Sequence, residues 1–146
     1  MVPNVLVALL IALTHALGSP AGHEVKRGAD DVKVDSSRYG RILVDGHGRT
    51  LYLFTRDRGR KSRCYGDCAG AWPPLYAHGA QVAGGNLDQS KLGTTTRRGG
   101  AEQVTYAGHP LYYYVNDRRA GQILCQNVVE FGGTWLVVSP AGRAIR

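Results

Sequence analysis

The sequence predicts an all-β fold, a small domain of short antiparallel strands built from two related halves. Three observations support this prediction. The chain has 20 Gly and a single Met in 146 residues, a composition that favours strands and turns over a helical bundle. Apolar residues alternate with a period of two in several short segments that turn residues separate. One eight-residue pattern occurs twice, which indicates an internal repeat.

The first segment of the chain predicts export. Residues 5–13 are an unbroken apolar run, shorter than the roughly 20 residues that a membrane-spanning helix needs, and small residues follow it. We therefore expect a signal peptide over residues 1–18, with cleavage as late as residue 21, and a flexible lead-in over residues 19–38. The alternative to a signal peptide is that the apolar run forms a buried N-terminal strand or helix. No later segment is apolar enough to be transmembrane, and no Cys lies where a lipid anchor would be attached, so the expected location is secreted and extracytoplasmic.

Residues 39–146 are expected to form the β domain. Glycine-containing turns separate short apolar segments, as in a series of hairpins. The predicted strands are 41–45, 50–55, 92–96, 103–106, 110–115, 134–139 and 143–146. Only Asp67–Trp72 has room for a short helical turn, which the two following prolines would end.

The repeat has the pattern L-Y-x-[FY]-x-x-D-R and begins at Leu51 and again at Leu111. In a strand its two aromatic residues lie on one face and the leucine on the other, so both faces are apolar and the strands are expected to be central. The aspartate falls just past the strand end, where it would accept backbone N–H bonds and cap a turn. The alternative is a pair of carboxylates that binds a cation. The motif residues are Tyr52, Phe54, Asp57, Tyr112, Tyr114 and Asp117.

Two further motifs complete a resemblance to a known family. Residues 64–75 read C-x-G-x-C-x-x-x-W-P-P-L, and residues 131–135 read F-G-G-T-W. With the two Y-x-[FWY]-x-x-D motifs, they resemble the bacterial secreted repeats, or predicted lipoproteins, that are named for that motif. The resemblance covers about residues 39–142. It implies an extracytoplasmic location, a β-rich fold and no established activity. This chain differs from the lipoprotein members in having no lipidated Cys.

The three cysteines allow a disulfide or a metal site. Cys64 and Cys68 are four residues apart with Gly66 between them, a separation that a disulfide tolerates, and export would favour oxidation. We expect this bridge, with Cys125 left unpaired and buried, although Cys125 could instead pair with either of the others. Three thiolates would also suit copper or zinc. However, the spacings of C-x-x-C redox sites and C-x-x-C-H haem sites are absent from the chain.

The net charge of +7 predicts an affinity for anions. Aromatic and basic residues around the cysteine loop suggest a binding surface for an anionic envelope polymer or glycan. Its candidate residues are Tyr65, Trp72, Tyr76, Arg58, Arg60, Lys61 and Arg63. For Trp72 the alternative is a place in the core.

The expected function is a binding or envelope-structural module. No nucleophile elbow, phosphate-binding loop or specific nucleic-acid motif occurs in the chain, so the protein is expected not to be an enzyme and to need no cofactor. The alternative function is a redox or metal-handling protein that uses the cysteines with copper or zinc.

Overall fold

The computed structural model describes residues 32–146, in which eight short strands form three antiparallel sheets. The expectations for the signal peptide and for most of the lead-in fall on residues 1–31, outside the described residues. The strands are β1 (Val32–Ser37), β2 (Gly40–Asp45), β3 (Tyr52–Phe54), β4 (Leu92–Thr96), β5 (Glu102–Tyr106), β6 (His109–Pro110), β7 (Val128–Glu130) and β8 (Gly133–Val137). The helical elements are α1 (Asp67–Ala71) and a 3₁₀ turn (Gln89–Lys91).

Each sheet has two or three strands. β1 pairs with β2, β8 lies between β3 and β7, and β5 lies between β4 and β6. The all-β prediction with two related halves is therefore confirmed. The helical turn expected over Asp67–Trp72 is also present as α1. It ends at Ala71, and the two prolines that follow Trp72 prevent it from continuing.

The lead-in prediction was wrong at its carboxyl-terminal end, because residues 32–37 form β1. Val32 is fully buried, and Ser37 pairs with Gly40 across a tight turn in which Gly40 has a φ of +91°. The Ser37 hydroxyl donates to the carbonyl of Gly40 at 2.8 Å and accepts from the N–H of Tyr39 at 3.0 Å. Val32 and Val34 alternate with charged residues here, as in a strand with one buried face. The interpretation as a flexible segment rested on the charged residues and neglected this alternation.

Three predicted strands differ from the observed structure, and one observed strand was not predicted. Residues 143–146 return beside β8, where Ile145 donates to the carbonyl of Val137 at 3.0 Å, but they form no regular strand. The hairpin expected between residues 41–45 and 50–55 is only partly formed. The chain turns at residues 46–48 and Leu51 donates to the carbonyl of Leu43 at 3.1 Å, but the regular partner of β3 is β8. The strand expected over 110–115 is regular only as far as Pro110. β7 was not expected, because two of its three residues are exposed and no apolar alternation marks it. The predicted hairpin of β4 and β5 is present.

The core consists of two clusters, one on each face of β3. The aromatic cluster includes Tyr52, Phe54, Trp72, Tyr112 and Trp135. The aliphatic cluster includes Leu51, Leu53, Leu75, Leu111 and Leu136. The two-residue period of the repeat thus sends its aromatic residues to one cluster and its leucines to the other, as expected for strands covered on both faces.

Within residues 32–146, none of the helical segments has the length and apolar character that crossing a membrane would require.

Candidate functional site

The two copies of the repeat bond to each other crosswise. The Tyr52 hydroxyl donates to Asp117 Oδ2 at 2.5 Å, and the Tyr112 hydroxyl donates to Asp57 Oδ2 at 2.9 Å. The backbones of Tyr52 and Tyr112 also exchange two N–H···O bonds, of 2.8 and 3.0 Å. Burial raises the pKa of both phenols, so each remains a hydrogen donor. The tyrosine of each half therefore holds the aspartate of the other half.

The second oxygen of each aspartate closes the loop that follows it. Asp57 Oδ1 accepts the N–H of Arg63, six residues later, at 2.8 Å. Asp117 Oδ1 accepts the N–H of Leu124, seven residues later, at 3.0 Å. These bonds agree with the capping interpretation, although the aspartates fix wide loops rather than the adjacent turns. Among the described residues, no group of three or more His, Cys, Asp or Glu side chains is placed to hold a metal ion.

A polar network surrounds the buried side chain of Arg97 and combines groups from both halves. Arg97 is only 6% exposed, and its guanidinium donates to Ser62 Oγ at 2.8 Å, Gln103 Oε1 at 2.8 Å and the carbonyl of Cys64 at 2.6 Å. Ser62 Oγ lies 2.7 Å from the hydroxyl of Tyr112. The three acceptors of this buried cation are thus neutral oxygens, which bond it without cancelling its charge.

A basic groove with a volume of about 620 Å³ opens above this network. Among residues 32–146, five cations and no carboxylate line it. The lining residues are Arg56, Lys61, Ser62, Arg63, Tyr65, Thr96, Arg97 and Arg98. Because low-dielectric walls concentrate the field of like charges, such a groove attracts anions.

Tyr65 is the aromatic residue of the basic groove. The guanidinium carbons of Arg98 and Arg97 lie 3.8 and 4.3 Å from its ring centroid, and its hydroxyl accepts the N–H of Arg98 at 3.2 Å. Burial alone would raise the pKa of Tyr65, but the bonds from Arg98 and the two positive charges lower it overall. At these distances the Tyr65 ring makes cation–π contacts with both arginines and holds them in place.

The structure divides the surface that the sequence suggested. Tyr65, Lys61 and Arg63 line the basic groove, whereas Arg58 and Tyr76 do not. Arg60 is bonded through its guanidinium to the carbonyl of Thr94 at 2.8 Å and is not a lining residue either.

The sequence interpretation missed five lining residues: Arg56, Ser62, Thr96, Arg97 and Arg98. The signal that could have found two of them is the Arg97-Arg98 pair at the start of a predicted hairpin turn, which the β4–β5 pairing brings over the cysteine loop.

Trp72 is not part of any surface, and its assignment as a surface residue was wrong. It is fully buried, with its ring stacked 4.1 Å from that of Trp135, and its indole N–H donates to Glu130 Oε2 at 2.8 Å. On its other face Trp135 stacks on Phe54, with 4.0 Å between the ring centroids. A Cβ at Gly133 would lie 2.6 Å from the Phe54 ring, so the glycine of the F-G-G-T-W motif permits this stack.

Cys64 and Cys68 form a disulfide across the start of α1, with Cα atoms 5.2 Å apart, and Gly66 between them has a φ of +56°. Cys125 is a free thiol and is half-buried rather than buried. The three sulfurs are therefore not available together as thiolates. The disulfide also fixes the Cys64 carbonyl that Arg97 bonds, so it supports one wall of the basic groove.

Reduction of this disulfide is expected to loosen the groove while leaving the β core folded. A loop this short contributes about 2 kcal/mol on the chain-entropy model. Alkylation and peptide mapping of the denatured, unreduced protein should label Cys125 alone. After reduction, near-ultraviolet circular dichroism should keep the signal of the buried aromatic stack. Labelling of all three cysteines, or loss of the stack on reduction, would contradict the assignment.

The comparisons with known proteins agree with the repeat seen in the structure. A family model described as a secreted repeat of unknown function matches residues 33–76 and 93–139, and each stretch contains one copy of the Tyr–Asp motif. No curated protein and no solved structure matches the chain significantly. Since the two matched stretches cover more than half of the sequence, the chain belongs to the family of secreted repeats of unknown function.

Proposed function

We propose that this extracytoplasmic domain is a non-catalytic binding module whose basic groove holds an anionic polymer of the cell envelope. Five cations line one opening, and none of the described residues that line it is a carboxylate; this is the observation that carries the proposal. Membership of a secreted family supports an extracytoplasmic site of action. An anionic glycan presents the same chemistry, repeated negative charges along a chain, and would be held in the same way.

The positions of the cations favour a polymer over a compact anion. Arg97 lies at the base of the groove, is only 6% exposed and already donates three hydrogen bonds to neutral oxygens. It therefore contributes charge more than direct contacts. Lys61, Arg63 and Arg98 have exposed side chains around the opening. Charges spread around a rim can each meet a separate anionic group, which suits a ligand with repeated charges.

The geometry of the cysteines gives less support to the copper or zinc alternative than the groove gives to binding. Two of the three sulfurs are joined in a structural disulfide, and the free Cys125 packs beside the aromatic cluster. A copper or zinc site would need the thiolates to converge with other ligands. The evidence for a binding function is therefore the groove. The role of the disulfide is to hold the loop that forms one wall of that groove.

The groove can be tested by removing charge inside and outside it. Inorganic polyphosphate is a suitable probe, with poly-glutamate and neutral dextran for comparison. The double variant Lys61→Gln/Arg63→Gln should lose about tenfold or more in polyphosphate affinity, and the slope of log affinity against log salt should fall by about two, one for each lost contact. Isothermal titration calorimetry at several salt concentrations measures both quantities.

Arg118→Gln/Arg119→Gln is the matched control. These two arginines are exposed, lie at the end of the second copy of the repeat and are not lining residues, and their removal changes the net charge by the same amount. We expect this control to bind within about twofold of the parent, because distant surface charges are screened by salt. Equal losses in the two double variants would mean that only the net charge of the surface matters, and would refute a groove.

A further inference from the structure

We propose that Asp57 sets the charge of the basic groove, so that protonation of Asp57 strengthens the binding of an anionic polymer there. The inference rests on the proposed function, and it adds regulation by pH to that site.

A chain of hydrogen bonds runs from the base of the groove to Asp57. Arg97 donates to Ser62 Oγ at 2.8 Å, Ser62 Oγ lies 2.7 Å from the hydroxyl of Tyr112, and that hydroxyl donates to Asp57 Oδ2 at 2.9 Å. Ser62 and Arg97 are themselves lining residues of the groove. Two buried hydroxyls are thus all that separates the buried cation from the carboxylate. At such short range, inside a low-dielectric interior, the two charges act strongly on each other.

Asp57 is the carboxylate that offsets the charge of Arg97. The direct partners of Arg97 are Ser62, Gln103 and a backbone carbonyl, and none of them carries a charge. The groups that act on Asp57 come from three parts of the fold. Arg63 lies on the same loop, Arg97 at the β4–β5 turn, and Tyr112 in the second copy of the repeat. An ionised Asp57 therefore removes about one charge from the basic groove, and a protonated one restores it.

This change falls in an accessible range of pH. Burial raises the pKa of Asp57 to about 6, against the opposing effects of the Arg63 N–H, the Tyr112 hydroxyl and the nearby arginines. As the pH falls through this value, Asp57 becomes neutral and the groove more positive. Anion affinity should therefore rise on acidification. By linkage, a bound polyanion should in turn raise the pKa of Asp57 and cause proton uptake.

The second half of the molecule supplies an internal control. Asp117 occupies the same place in the motif and makes the same two kinds of bond, to a tyrosine hydroxyl and to a loop N–H. However, the residue before Leu124 is Ile123, whereas the residue before Arg63 is Ser62. Ile123 has no polar side-chain atom, so it cannot continue a hydrogen-bond chain as Ser62 does. Protonation of Asp117 should leave the charge of the groove unchanged.

The test compares the parent protein with Asp57→Asn and Asp117→Asn, using polyphosphate, whose internal phosphates stay ionised throughout. Affinities are measured at pH about 5 and about 7.5, on either side of the Asp57 transition. The parent and Asp117→Asn should bind about threefold more tightly at the lower pH, as expected for one added charge at the groove. Asp57→Asn should bind tightly at both values, because its amide mimics the neutral acid. Histidine titration is common to all three proteins and cancels.

A second measurement does not depend on any variant folding. Carbon-detected NMR of the side-chain carboxyl groups follows Asp57 and Asp117 in the parent protein. Saturating polyphosphate should raise the pKa of Asp57 by about half a unit, the equivalent of the threefold change in affinity, and leave Asp117 unmoved.

The possible failures are distinguishable. If polyphosphate binds with the same pH dependence to all three proteins, or leaves the pKa of Asp57 unchanged, the inference about Asp57 is refuted while the groove stands. If the parent binds polyphosphate at neither pH, the proposed function fails and the inference fails with it.

Discussion

Replacing Trp72 with Ala is expected to destabilise the protein by about 3–5 kcal/mol, the usual cost of removing a large buried aromatic side chain. Trp72 is stacked on Trp135, meets Tyr52 edge-on at 5.2 Å and lies against Tyr114 at 4.8 Å. The substitution would remove all three ring contacts and leave Glu130 without its indole donor. Because small domains are stable by only about 5–15 kcal/mol, this loss is a large fraction of the total stability.

Urea denaturation followed by circular dichroism measures this effect, and Tyr76→Ala is its control. Tyr76 comes from the same cysteine-to-proline region but is 39% exposed, so its removal should cost less than about 1 kcal/mol. A loss at Trp72 no larger than that at Tyr76 would contradict the core position of Trp72. Such a result would instead favour the sequence-based prediction that Trp72 lies on the binding surface.

Local pattern predicted most of the fold. The repeat at Leu51 and Leu111 indicated two related halves with buried strands, and Asp67–Trp72 indicated the single short α-helix within the described residues, because both signals lie within a few neighbouring residues. Pattern failed where long-range pairing decides the structure. Val32–Ser37 becomes a strand only by pairing with β2, and β7 only by pairing with β8. Their patterns are short, since β1 has only the alternation of Val32 and Val34 with charged residues and β7 has none.

The candidate site was predicted less completely than the fold, for the same physical reason. The sequence placed Lys61, Arg63 and Tyr65 at a binding surface because they lie close together in the chain. Arg97 and Arg98 join them only through the β4–β5 hairpin, more than 30 positions away. The repeat likewise revealed two aspartates at strand ends but not their tyrosine partners. Each partner lies in the opposite half, so only the fold brings it within bonding distance.

The two tyrosine–aspartate bonds between the halves, Tyr52 to Asp117 and Tyr112 to Asp57, should contribute unequally to stability. Asp117 is 1% exposed, and Asp117→Ala would leave the Tyr52 hydroxyl and the Leu124 N–H without their acceptor. At about 1–3 kcal/mol for each of the two buried donors left unpaired, the expected loss is about 2–6 kcal/mol. Asp57 is half-buried, and water can reach its partners more easily, so Asp57→Ala should cost about 1–2 kcal/mol.

A double-mutant cycle separates the bond itself from other effects of the Asp117→Ala substitution. Tyr52→Phe removes the hydroxyl that Asp117→Ala would leave unpaired, so the two losses should overlap. We expect the double variant to be at least about 1 kcal/mol more stable than the sum of the single losses predicts, as measured by urea denaturation. Asp117→Asn should retain most of the stability, because its amide oxygen still accepts one of the two bonds. Additive losses at Tyr52 and Asp117 would show that the two residues are not coupled, and the crossed bond would then not be what joins the two halves.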